Sequence, residues 1–152
     1  MDARELLNDL ARRAGLPALP LSPRGTAQLL LGDSGMTLNF EPDPDAGLLH
    51  AFVALGPLPR GSAGAELMRG LLRLNLHSGL RGASGGGHWA LDGSADDGVL
   101  LHRALVLDGL TGEALEQAVL ALAEGAQAGL QLIGGPPSGG TSTAPLGQAG
   151  FA

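Results

Sequence analysis

The chain has 152 residues, a net charge of −6, no cysteine, no tyrosine and no lysine, so all nine basic residues are arginine. Disulfides, thiolate metal sites, a cysteine nucleophile, a phosphate-loop lysine and a Schiff-base lysine are thereby excluded. Three Phe, one Trp and scattered arginines make no stacking platform or basic face for nucleic acid, and no apolar run approaches the ~18 residues of a membrane span.

The N-terminus opens with acids and has no apolar core of signal-peptide type, so a soluble, cytoplasmic protein is expected. Asp2 and Glu5 form a capping-box pattern. Ala3, Leu6, Leu7, Leu10 and Ala14 follow at helical spacing, Arg12 and Arg13 suit the negative end of the helix dipole, and Gly15 and Pro17 stop the helix. A first helix is expected over 3–14. The proline-rich stretch 16–25 leads to a strand at 26–31, the turn Gly32-Asp33-Ser34-Gly35 and a second strand at 36–41. In the second strand Met36, Leu38 and Phe40 alternate with Thr37, Asn39 and Glu41. After a loop at 42–47, a third strand at 48–55 is apolar on both faces.

The stretch 55–92 organises the rest. Gly56, Pro57 and Pro59 end the third strand, and a helix follows over 62–77. At about 100° per residue, Glu66, Arg69, Arg73 and His77 fall in one polar stripe. Leu67, Leu71 and Leu74 form one apolar flank, and Ala65, Met68, Leu72 and Leu76 the other. That arc is wide enough for two contacts, one with the helix's own sheet and one with something else. Asn75 lies within the arc. Such an amide either fixes the register of a helix pair or bonds to backbone of its own chain. A glycine-rich flexible loop is expected at 78–87, then strands at 88–92 and 99–106. Thr111 is a plausible N-cap for a last helix over 112–132, in which Gly125 and Gly129 weaken the second half.

Residues 1–133 thus read as one α+β domain in the order α-β-β-β-α-β-β-α, with helices over a mostly antiparallel, twisted sheet. Residues 134–152 read as a low-complexity, disordered tail.

No catalytic constellation emerges. Gly82-Ala83-Ser84-Gly85-Gly86 matches G-x-S-x-G, but that motif needs a strand before the serine and a helix after it, and here the order is reversed. A small hydrolase using Ser84 with a histidine would lose turnover in Ser84→Ala. Gly85-Gly86-Gly87 opens a strand, not a helix, so no helix N-terminus supports a phosphate there. His50, His77, His88 and His102 show no i, i+4 or H-x-H spacing. His50, His88 and His102 converge only if their strands are neighbours, so no metal or cofactor is assigned. What remains is surplus apolar surface. Leu29, Leu30 and Leu31 are consecutive, so at least one points away from the core, and Phe52 and Val53 occupy opposite faces of one strand. Such a surplus belongs to a binding module or an obligate dimer.

In combination, the opening LLNDLARRAGLPALPLSPRG, LGPLP at 55–59, LLRLNL at 71–76, the glycine-rich entry to GHWALD and the Gly98-Val99-Leu100-Leu101 run resemble the class I chaperones of bacterial type III secretion, the Tir-chaperone-like group. The resemblance spans residues 3–132. It implies a small, acidic, non-enzymatic cytoplasmic homodimer. Such a protein binds the N-terminal region of a secreted effector, holds it extended, and presents it to the secretion ATPase. It also implies a dimer interface at Leu67, Met68, Leu71, Leu72, Leu74 and Asn75. Effector contacts are implied for Leu6 and Leu10 of the first helix and for Leu29, Leu31, Leu38, Phe40 and Phe52 of the sheet. Where members carry an aromatic-acid pair at the end of strand one, this chain has Leu31-Gly32, and the tail is not a family feature. The competing expectation is a cytoplasmic dimerisation or regulatory module without a secreted client.

Overall fold

The computed structural model describes residues 2–81 and 87–133. The elements run α1 (Ala3–Arg13), β1 (Ala27–Leu31), a 3-10 turn (Gly32–Ser34), β2 (Met36–Asp43), β3 (Leu48–Pro57), α2 (Ser62–Arg81), β4 (His88–Leu91), β5 (Gly98–Val106) and α3 (Gly112–Ile133). This is the expected α-β-β-β-α-β-β-α order. The five strands form one sheet, β1-β2-β3-β5-β4, antiparallel throughout.

The local signals act as read. Asp2 accepts from the Glu5 backbone at 2.8 Å and Glu5 accepts from the Asp2 backbone at 3.1 Å, closing the capping box. Thr111 caps α3 by accepting from the Ala114 N–H at 3.2 Å. Three boundaries differ from expectation by two residues or more, and one is the end of β3, which runs on through Gly56 and Pro57 as partners of Val99 and Gly98. Strand β2 runs on through Pro42 and Asp43, because both find register partners in β3. Helix α2 continues through residue 81, so its backbone occupies the first part of the expected loop. One internal Gly costs a helix only about 1 kcal/mol, too little by itself to end it. The motif around Ser84 and the tail at 134–152 lie outside the described residues.

One face of the sheet carries the core. Leu29, Leu38, Phe40, Leu49, Val53, Leu55, Val99 and Leu101 are buried there with Leu6, Leu7 and Leu10 of α1 and Leu115, Val119 and Leu122 of α3. Alternation does the sorting, since residues i and i+2 of a strand share a face. α3 lies on β3 and β5, and α1 lies on α3. Charges join the two helices: Arg13 bonds Asp9 at 3.0 Å and reaches Glu116 at 3.4 Å. The Arg13 hydrogen bond is the main reason the Asp9 carboxyl is held below the usual carboxylate range.

Gly64 and Gly129 are among the described glycines that permit close approach. A Cβ on Gly64 would strike the Pro59 carbonyl, so the start of α2 folds tightly under the Pro57–Pro59 corner. A Cβ on Gly129 would strike the Trp89 ring, so the bare backbone of α3 is the notch that receives the indole. Gly129 weakens the helix on propensity, and its missing side chain is also a packing requirement.

Candidate protein-binding surfaces

Helix α2 sits against β4 rather than over the centre of the sheet. Its two apolar flanks separate cleanly. Leu71 is 4% exposed, and Leu67 and Leu74 are partly buried against the core. Met68, Leu72 and Leu76 stand on the other flank, the last two 63% and 69% exposed. Their i, i+4, i+8 spacing keeps them in one narrow row, since each step of four turns the helix by only about 40°. Of the six residues expected at a subunit interface, the structure therefore gives Leu71 to the fold, half-buries Leu67 and Leu74, and leaves Met68 and Leu72 outward. Leu76, noted on the same flank but not assigned to the interface, joins them. Asn75 bonds within its own chain: Nδ2 donates to the Trp89 carbonyl at 2.9 Å, and the Trp89 N–H donates to Oδ1 at 2.6 Å. The side-chain description of α2 stops before His77.

The second surface is the sheet face opposite the helices. Its rows follow from the register. One runs Gln28, Asn39, Phe52, His102, His88 across all five strands. The next includes Leu30, Thr37, Leu100 and Ala90. Leu30 is 64% exposed, Val106 63%, and Phe52 and Leu100 are half-buried. Leu30 is thus the leucine of the consecutive triplet that points outward. Polar pairs interrupt the apolar surface. Gln28 Nε2 donates to Asn39 Oδ1 at 2.9 Å. His50 Nδ1 and His102 Nε2 lie 2.9 Å apart with the rings stacked at 5.1 Å. Burial first, then the neighbouring His50 and His88, hold His102 below the usual histidine range. No group of three or more His, Asp or Glu side chains suited to a metal ion occurs among the described residues.

Most of the expected effector contacts need correcting. Leu6, Leu10, Leu29, Leu38 and Phe40 are interior side chains; Leu6, Leu38 and Phe40 have no exposure at all. They lie on the faces that α1, α3 and the sheet turn toward one another, so the core consumes them. Leu31, partly buried at the end of β1, and Phe52, on the open face, keep accessible surface. The residues that the sequence alone does not assign to this surface are Leu30 and Val106. The signal for them was available: each is one position out of phase with a buried neighbour, Leu29 and Leu105.

Residues 5–128 match the model of the Tir chaperone protein (CesT) family. The chain belongs to this family. The CesT match spans α1 to the body of α3, so it includes both uncovered surfaces. Solved structures agree with the fold. The Yersinia pestis type III secretion chaperone SycH, crystallised with a stable fragment of YscM2, is 26% identical with a TM-score of 0.64, covering 82% of this chain and 97% of that one. The SchA chaperone in its HopA1 complex has a TM-score of 0.67 at 18% identity, covering 82% and 90%. SpcU in the ExoU-SpcU heterodimeric complex of Pseudomonas aeruginosa has 0.60 at 23% identity, covering 83% and 96%. Among curated proteins, none matches the chain. No helix among the described residues is long and apolar enough to cross a membrane.

Proposed function

We propose that this CesT-family protein is a cytoplasmic type III secretion chaperone that binds the N-terminal segment of a secreted effector and keeps it soluble and secretion-competent. The observation that carries the reading is a family fold, matched over residues 5–128, that leaves two apolar surfaces uncovered. The 26% identical SycH was crystallised with a fragment of a partner protein, which supports a polypeptide as the client here. Nothing in the reading requires catalysis.

The two surfaces divide the work. The row Met68, Leu72, Leu76 on α2 suits a second copy of the same chain, because a straight stripe on one helix is self-complementary about a two-fold axis. The open sheet face around Leu30 and Phe52, with the outer edge of β1, suits an extended client whose side chains settle between the strands' own. Two such faces per dimer raise the effective concentration for a client long enough to reach both. Delivery of the loaded client to the secretion ATPase completes the proposed role.

The test is purification from the native host followed by mass spectrometry and light scattering. A dimer of roughly twice the chain mass carrying a secreted protein supports the proposal. A monomer with no secreted protein attached at micromolar concentration would overturn it. A dimer bound only to a folded cytoplasmic protein would favour a regulatory module instead.

A further inference from the structure

The open face holds one feature that neither family membership nor client binding calls for. His50 on β3 and His102 on β5 face each other across the strand boundary, Nδ1 to Nε2 at 2.9 Å, with stacked rings. His88 on β4 is the register partner of His102. We propose that His50 and His102 form a proton-operated clasp between β3 and β5, closed when the pair holds at most one extra proton and opened by the second.

The chemistry follows from the ring nitrogens. In a neutral pair one facing nitrogen carries a hydrogen and the other accepts it. A first added proton goes to a nitrogen turned elsewhere and leaves the N–H···N bond in place. A second leaves both facing nitrogens as donors, so the bond is lost and two cations face one another with ring centres 5.1 Å apart.

The other groups that face the pair decide how readily this happens. Glu41 on β2 is the register partner of His50 and is exposed, so water screens its pull on a protonated ring. His88 adds a like charge on acidification. β1 contributes only Gln28 and Leu30, and Arg103 is on the opposite, helix-covered side of β5. Burial acts in the same direction as His88, holding His102 low. The unfolded chain, in which His102 is an ordinary histidine near pH 6.5, therefore binds a proton that the fold resists at that ring. The clasp's contribution is complete above about pH 6.5 and declines as the pH falls below it. Acid also turns the centre of an apolar face cationic, so the same protons disfavour any apolar segment lying across it. The clasp stands whichever partner occupies that face.

The experiment is an NMR titration of the full chain's histidine rings from pH 8 to 5, with long-range nitrogen correlations to read the tautomers. At pH 8, His50 Nδ1 and His102 Nε2 should be complementary, one protonated and one bare. On acidification the pair should titrate in two steps separated by about one unit or more. In His50→Ala, His102 should titrate in a single step lying above the lower step of the wild type. The same protonation state on both facing nitrogens at pH 8, or equal single-step midpoints for both rings, would overturn the proposal. The wild-type spectra decide the matter even if His50→Ala does not fold. His88→Gln, which changes an exposed residue, should raise the lower step while leaving the tautomers complementary.

Discussion

The side-chain amide of Asn75 engages both backbone groups of Trp89, donating to its carbonyl at 2.9 Å and accepting from its N–H at 2.6 Å. Strand β4 ends the sheet, and Trp89 turns these groups away from β5. One amide of α2 therefore imitates the next strand and closes an edge that would otherwise invite another chain.

Asn75→Ala should remove both bonds and cost about 1–3 kcal/mol, the usual cost of leaving part-buried backbone groups unsatisfied. Chemical denaturation measures it. A loss below a few tenths of a kcal/mol would mean that water replaces the amide without penalty.

The two flanks of α2 should respond differently to charge. Leu72→Asp combined with Leu76→Asp places charges on residues more than 60% exposed, so the monomer fold survives. Self-association should weaken by at least a hundredfold, about 3 kcal/mol. Leu71→Asp should instead unfold the monomer, because Leu71 is in the core. Light scattering with circular dichroism separates the cases. An intact Leu72→Asp/Leu76→Asp dimer would locate the interface elsewhere.

Gly129→Ala tests the indole notch. On helix propensity alone the change should stabilise α3 by about 1 kcal/mol. Because the added methyl meets the Trp89 ring, we expect a net loss of about 1–3 kcal/mol instead. Tryptophan fluorescence reports directly, since Trp89 is the single tryptophan.

Phe40 and Phe52 separate stability from binding. Phe40→Ala should cost about 3–5 kcal/mol, as for a fully buried aromatic. Phe52→Ala should cost the monomer under about 1.5 kcal/mol, because the ring is half-buried on an open face. Its effect should appear in co-purification of the client. Equal stability losses would mean that the open face is covered in the free protein.

Much of the fold was legible in the sequence because its signals are local. The Asp2–Glu5 box, the Thr111 cap and the alternation from Met36 to Phe40 each depend on neighbours within a few residues. The surplus of apolar side chains was legible too, and Leu30 points outward as the consecutive leucines required. The division of that surplus between core and surface was not. Leu38 and Phe40 look identical to surface leucines and phenylalanines until α1 and α3 are laid on one side of the sheet. The two flanks of α2 are equally apolar, so only the position of β4 decides which is buried. His50 and His102 are 52 residues apart, and only the β3–β5 register makes them neighbours.

The clasp between Arg13 and Glu116 spans 103 residues, which has a consequence for synthesis. α1 is made first, yet the helix that covers it is made last. At about 5–20 residues per second, Leu6, Leu7 and Leu10 wait on the order of 5–20 s on the ribosome for their partners on α3. The nascent chain thus passes through a period of exposed leucines, and the fold closes only after its final helix has left the exit tunnel.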